Sequence, residues 1–183
     1  MIAAANSALH SNIPYLGLCL GMQIMVVEYA RNELGITDAT SLEIDPDAAN
    51  PVIAFMEGQE ELHSTGGTMR LGVYPCLLKE GTKVREAYDQ ETVDERHRHR
   101  YEFNNEYRVQ LEEAGLIASG TSPDGSLVEV TEVYGHPFMV GSQFHPEFGS
   151  RPERPHPLFR EFIRMARFTL REGGQHDLFE EEE

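Results

Sequence analysis

The stretch Pro14-Tyr15-Leu16-Gly17-Leu18-Cys19-Leu20-Gly21-Met22-Gln23 decides how the rest of the chain is arranged around it. Residues 15–18 form a short apolar run after a proline, which predicts a buried strand. From residue 21 to residue 34, apolar side chains recur at helical spacing, which predicts a helix. Cys19 therefore lies in a strand-to-helix turn with almost no connecting loop.

The tightness of this turn makes Cys19 a candidate nucleophile. Gly-x-Cys-x-Gly is the thiol form of the nucleophile elbow, in which the nucleophile has strained backbone angles. We expect Gly17 and Gly21 to prevent clashes in the turn. The following helix N-terminus is expected to favour thiolate over thiol. The alternative is a structural cysteine that happens to lie between two glycines. Cys76 has no glycine flanks, and we interpret it as a buried and inert residue.

A second candidate group follows the apolar strand predicted over residues 138–144. His145-Pro146-Glu147 comes at the carboxyl end of this strand, where α/β sheets form their sites. Glu147 could hold the ring of His145 in one tautomer, and His145 could deprotonate Cys19 and then protonate the leaving amine. Taken alone, a histidine of this kind is more often structural and a glutamate more often solvated.

The remaining pattern predicts a single α/β domain without repeats or linkers. Helices are expected over 1–12, 105–114 and 157–171, and strands over 51–56, 69–78, 101–103, 116–121 and 127–131. Residues 57–67 have the composition of a surface loop. The domain is expected over 1–175, followed by an acidic, disordered tail over 176–183 that ends in four glutamates.

Composition narrows the class of protein. The chain has 183 residues, 15 of them basic and 31 acidic, and its formal charge of −16 argues against a nucleic-acid partner. No apolar run is long enough for a membrane span, and no secretory leader is evident, so we expect a cytoplasmic protein with no membrane partner. The two cysteines lack zinc-ligand spacing, so no metal site is expected.

These motifs resemble those of the class I glutamine amidotransferases, and more narrowly those of the C-terminal glutaminase domain in the CTP synthase family. The resemblance covers nearly the whole chain. The stretches that carry it are Ile13–Gln23, Gly66–Gly72, Arg96–Asn105 and Gln143–Glu147.

The resemblance implies an open, mostly parallel, flavodoxin-like sheet flanked by helices. It also implies glutamine hydrolysis through a thioester on Cys19. In the full enzyme, the ammonia would reach a synthetase domain that aminates UTP with ATP and magnesium. The resemblance also implies that the full enzyme is a homo-oligomer. No cofactor is implied for this chain. The family's L-glutamine contacts correspond to the backbone of Leu20, Gly21, Met22 and Gln23, to Glu43 for the α-ammonium, and to Arg100 for the α-carboxylate.

The chain departs from the family pattern at its start. Compared with the family, it lacks the N-terminal strands and a glycine-rich loop that supplies an oxyanion donor, so we expect a partial domain with one such donor, the N–H of Leu20. Two alternatives follow: a catalytically impaired fragment that only docks on partner chains, and another class I amidotransferase or γ-glutamyl peptidase. Glu43 and the arginines at 96, 98 and 100 could also be plain surface residues, and His97 and His99 could be structural or interdomain.

Overall fold

The computed structural model describes residues 1–55 and 69–172. The helices are α1 (Ile2–His10), α2 (Leu20–Asn32), α3 (Lys83–Tyr88), α4 (Arg108–Glu113) and α5 (Pro157–Glu172). The strands are β1 (Tyr15–Leu18), β2 (Thr40–Ser41), β3 (Pro51–Phe55), β4 (Arg70–Leu78), β5 (Thr92–His99), β6 (Tyr101–Phe103), β7 (Leu116–Thr121), β8 (Val128–Val133) and β9 (Met139–Ser142).

The main sheet has six strands in the order β1-β9-β8-β7-β4-β5. The α/β class is confirmed, but strand direction is mixed rather than mostly parallel. Only the β1–β9 pair of this sheet is parallel, and the other four pairs are antiparallel. For the β7–β8 pair, the reason is the length of the connection: a turn over residues 122–127 joins the two strands, and so short a link can join only antiparallel strands.

The sheet curls so that its far edge returns to the site. The backbone N–H of His145, just after β9, donates to the carbonyl of Arg96 on β5 over 2.8 Å. β9 is the second strand and β5 the sixth, so this contact requires a curved, half-barrel sheet. Segments after β1, after β9 and on β5 therefore converge at one place.

Apolar layers cover both faces of this sheet. Met139 belongs to a buried cluster with α1 and α2, whereas its neighbour Val140 belongs to a second cluster with Leu158 of α5 and Val84 of α3. This alternation is the period of two expected for a strand buried on both sides. Because β9 is packed on both faces, the position of the residues that follow it is fixed.

A second sheet of three strands, in the order β2-β3-β6, packs beside α2. β2 runs parallel to β3, and β3 runs antiparallel to β6. The carboxyl end of β2 and the amino end of β6 therefore lie at the same edge. That edge carries the segments around residues 43 and 100.

Strand β5 was not predicted, because its sequence is dense in charge. Its side chains alternate between exposed and buried, and the buried set includes Glu95, His97 and His99. Strand alternation is present, but polar residues occupy the inward positions, so hydrophobicity gives no signal. The short helix α3 was missed as well.

Two expectations concern residues outside the described ranges: the loop over 57–67 and the tail over 176–183. Within the ranges that are described, none of the helices is both long and apolar enough to cross a bilayer.

Candidate active site

Cys19 occupies the predicted elbow between β1 and α2. Its backbone has φ 49° and ψ −103°, a conformation that costs a residue with a Cβ of the order of 1–3 kcal/mol, and this confirms the predicted strain. The Cys19 N–H donates to the carbonyl of Ser142 over 2.7 Å, which ties the elbow to the end of β9. The nucleophile candidate is thus held by the one parallel pair of the main sheet.

Of the two flanking glycines, only Gly17 is required by close contact. A Cβ on Gly17 would lie 2.6 Å from the carbonyl carbon and oxygen of Gly21, whereas a Cβ on Gly21 would meet only the Tyr15 hydroxyl, at 3.8 Å. The steric expectation is therefore confirmed for Gly17 and wrong for Gly21. The tight approach is that of the strand to the first helical turn.

We expect Gly17→Ala to destabilise the protein and to displace Cys19. The added methyl group would press on backbone atoms that cannot rotate away, and overpacking of this kind typically costs about 1–3 kcal/mol. Chemical denaturation measures the loss, and Gly21→Ala is the matched control with an expected change below about 1 kcal/mol. Equal losses in the two variants would contradict this account of the elbow.

The surroundings of Cys19 act on its ionisation in both directions. Burial raises the pKa of the Cys19 thiol, while the Leu20 N–H and the side-chain amide of Gln143 lower it; the carboxylates of Glu43 and Glu147 raise it further. The predicted effect of the helix N-terminus has the expected direction, since the Leu20 N–H lowers the pKa of Cys19, but burial acts more strongly in the opposite direction. Ionisation of Cys19 therefore needs a base.

His145 and Glu147 lie together at the carboxyl end of β9. His145 Nδ1 is 2.7 Å from Glu147 Oε1, within a short 3₁₀ turn over Pro146–Phe148. A carboxylate only accepts, so Nδ1 carries the proton of this contact, and in the neutral form of the ring the lone pair is at Nε2. Among the residues that the structure describes, no hydrogen-bond partner meets this buried Nε2. The ring is thus oriented as a proton acceptor.

Gln143 is a residue to which the sequence assigned no role. Its Nε2 lies 3.6 Å from the sulfur of Cys19. The proximity follows from register: Leu18 on β1 pairs with Ser142 on β9, so the residues that follow them emerge side by side. A signal for Gln143 exists only once that strand pairing is known.

Residues 20–23 form the first turn of α2, directly after Cys19. Met22 is fully buried beneath Gly141, and the Gln23 side chain donates to the carbonyl of Tyr101. The Gln23 N–H donates to the Cys19 carbonyl, which is the first hydrogen bond of the helix. The N–H groups of the three residues before Gln23 therefore have no acceptor within the helix. Leu20 is exposed there, and Gly21 is buried.

Glu43 and Arg100 are both exposed and lie at the same edge of the small sheet. Ser41 pairs with Ile53, which pairs with Phe103, so the end of β2 and the start of β6 lie on either side of β3 at this edge. Residue 43 lies in a turn after β2, in which the N–H groups of Ile44 and Asp45 donate to the Ser41 carbonyl.

A buried polar cluster lies on the inward-facing side of β5. Arg70 Nη1 lies 2.5 Å from Glu129 Oε1, and His97 Nδ1 lies 3.6 Å from the other oxygen of Glu129 and 3.1 Å from His99 Nε2. Burial lowers the pKa of His97 to about 3 and that of His99 to about 4, so both rings are neutral. These two histidines and Glu129 could also hold a metal ion, but Arg70 already balances the carboxylate.

The exposed face of β5 carries the arginines that the sequence singled out. Arg96 and Arg98 line a cleft of about 750 Å³ together with Phe148, the neighbour of the histidine–glutamate pair. The Arg96 guanidinium lies 5.6 Å from the ring centre of Phe148. The basic face thus borders the site.

The chain belongs to the class I glutamine amidotransferase family: the family model described as "Glutamine amidotransferase class-I" matches residues 1–165. The fold agrees with this. The glutaminase domain of Trypanosoma brucei CTPS, solved with bound acivicin, superposes with a TM-score of 0.86 at 36% identity, over 91% of this chain and 65% of that one.

Within the family, the similarity is to CTP synthases. CTP synthase from Dehalococcoides mccartyi is 58% identical over 178 residues, which is 97% of this chain and 33% of the relative. CTP synthase from Bacillus subtilis is 59% identical over 162 residues, or 88% of this chain and 30% of the relative. The chain therefore spans about a third of the length of the curated relatives it matches.

Proposed function

We propose that this chain hydrolyses L-glutamine and that a longer protein uses the ammonia to convert UTP to CTP. The observation that carries the proposal is the pair of strand ends: strained Cys19 after β1, and the 2.7 Å His145–Glu147 contact after its parallel neighbour β9. Similarity to CTP synthases supplies the use of the ammonia.

In this mechanism, His145 Nε2 accepts the thiol proton of Cys19 when glutamine is bound. The sulfur attacks the side-chain carbonyl carbon of glutamine, and the Leu20 N–H donates to the developing oxyanion. The imidazolium returns the proton to the leaving nitrogen, ammonia departs, and a γ-glutamyl thioester remains on Cys19. Water, deprotonated by His145, then releases glutamate.

Glutamine binding is proposed for the first turn of α2 and the edge of the small sheet. The carboxylate of Glu43 would pair with the α-ammonium, and the guanidinium of Arg100 with the α-carboxylate. Both side chains are exposed at the same edge, so they can reach a ligand without a buried, unpaired charge.

The partner of this chain is proposed to be a synthetase domain of the CTP synthase type, in a cytoplasmic homo-oligomer. ATP and magnesium would bind to that domain, which performs the amination. The cleft bordered by Arg96 and Arg98 is next to the histidine–glutamate pair, so a neighbouring domain docked there would cover the site.

The test follows glutamine through the proposed thioester. The 183-residue chain is incubated with glutamine, quenched in acid and digested with a protease. The masses of the two cysteine-containing peptides are then measured by mass spectrometry. We expect glutamate in solution, a γ-glutamyl adduct on Cys19 and none on Cys76. Acivicin, which is bound in the Trypanosoma brucei relative, is expected to label the same cysteine. No glutamate and no label on Cys19 would contradict the proposal and favour a docking role.

A second experiment separates the possible uses of ammonia. The chain is mixed with the separately expressed synthetase part of a CTP synthase, together with UTP, ATP and magnesium. Glutamine-dependent CTP formation is the expected result. Glutamate release without CTP would instead indicate another class I amidotransferase or a γ-glutamyl peptidase.

A further inference from the structure

The sulfur of Cys19 lies 3.9 Å from the Arg98 carbonyl and 3.6 Å from the Gln143 amide nitrogen, and the charges that act on it are carboxylates. The charged groups that act on it from neighbouring elements are Glu43, after β2, and Glu147, after β9, and both oppose its ionisation. The groups that favour the anion are neutral donors: the Leu20 N–H and the side chain of Gln143. The amide of Gln143 is therefore an important part of this environment.

Gln143 is well placed to act on the sulfur. Its side chain is almost completely buried, with 1% of the residue exposed, and Nε2 lies 3.6 Å from Cys19 Sγ. Its backbone is also fixed, because its N–H donates to the carbonyl of Glu129 on β8 over 2.8 Å. A buried amide without freedom to move keeps its donor at the sulfur.

The orientation of this amide is set by a second glutamine. Gln23 Nε2 donates to the carbonyl of Tyr101 over 3.0 Å and to Gln143 Oε1 over 3.3 Å. A backbone carbonyl can only accept, so the NH₂ group of Gln23 must face it. That NH₂ group then meets the oxygen of Gln143, which turns the Gln143 NH₂ group toward Cys19.

We propose that the side-chain amide of Gln143 is a second donor to the sulfur of Cys19, beside the Leu20 N–H, and that Gln23 is the positioning residue that fixes this amide. The proposal rests on the proposed role of Cys19 as nucleophile. The donor holds the sulfur as an anion before it attacks glutamine and again when the thioester breaks and the sulfur is the leaving group.

The test measures ionisation of Cys19 independently of turnover. Iodoacetamide modification of Cys19 is followed by mass spectrometry from pH 6 to pH 11, and modification of the buried Cys76 in the same molecule would report unfolding. In Gln143→Leu we expect the midpoint of the Cys19 profile to rise by about one pH unit, because a neutral donor to the anion is lost. Gln23→Leu should shift it in the same direction by a smaller amount.

Controls keep the result interpretable. Gln110→Leu makes the same change on the exposed face of α4 and should leave the midpoint unchanged. If Gln143→Leu does not fold, Gln143→Asn, which keeps an amide but shortens its reach, should give the upward shift. An unchanged midpoint in a folded Gln143 variant would overturn the inference.

The outcomes also separate this inference from the proposed function. A midpoint shift in a chain that releases no glutamate would retain the inference about the donor and reject the glutaminase proposal. Glutamate release by the unmodified chain, together with an unchanged midpoint in the Gln143 variants, would retain the glutaminase proposal and reject the inference about the donor.

Discussion

Replacing Cys19 by alanine is expected to reduce glutamine hydrolysis by at least about 10⁴-fold, to the level of the solution background. The thioester cannot form without the sulfur, and no other described side chain stands at the end of β1 in its place. Cys76 cannot substitute for it, because that residue is fully buried on β4 and burial keeps the pKa of its thiol far above the ordinary value.

The histidine should behave as part of the same unit. His145→Gln removes the base but keeps a side chain of similar size, so we expect a loss comparable to that of Cys19→Ala. Groups that act in one step are strongly non-additive, so the double variant should be no slower than either single variant. Glutamate release is the measurement, and Cys76→Ala is the control, expected to remain within about threefold of the unmodified chain. Substantial hydrolysis by Cys19→Ala would contradict the proposed nucleophile.

The strand-to-helix elbow could be predicted because local sterics determine it. Gly17 must lie against the first turn of α2, and a glycine between an apolar run and a helical pattern signals this approach directly. The His145-Pro146-Glu147 segment was also accessible, since it follows an apolar strand. Features of this kind depend on neighbours in sequence, so they are visible before any tertiary contact is known.

Long-range features could not be predicted in the same way. The balance at Cys19 depends on burial by the folded chain, which outweighs the local effect of the helix N-terminus. Gln143 meets the sulfur only through the β1–β9 register. β5 was missed because most of its inward side chains, namely Glu95, His97 and His99, are polar. Strand direction likewise depends on pairing, which an apolar run does not specify.

Arg70→Met is expected to give a large loss of stability, about 3–5 kcal/mol at pH 8, because it leaves a buried carboxylate unpaired. Glu129 has no exposed surface, and the nearby His97 is neutral and cannot balance it. The Arg70–Glu129 contact is an ion pair at 2.5 Å, so the guanidinium is the charge that compensates the carboxylate.

The loss should depend on pH with a definite sign. Burial raises the pKa of Glu129 to about 7 from 4.5, so the favourable contribution of its protonated form is fully present below about pH 4.5 and is lost as pH rises through 7. Without Arg70 the ionised form is penalised further. Arg70→Met should therefore cost clearly less at pH 5.5, where the carboxyl can take up a proton, than at pH 8.

Chemical denaturation at the two pH values, with matched variants, tests this argument. Arg164→Met removes the arginine of an exposed pair with Glu161 on α5 and should cost less than about 1 kcal/mol. Adding Glu129→Leu to Arg70→Met removes the uncompensated carboxylate and should recover most of the loss, because an apolar pair of similar volume often replaces a buried ion pair at little cost. If Arg70→Met cost no more than Arg164→Met, or if the double variant were no more stable than Arg70→Met alone, an unpaired buried charge would not be the cause. Recovery in the double variant would show that the uncompensated carboxylate of Glu129 causes the loss of stability in Arg70→Met.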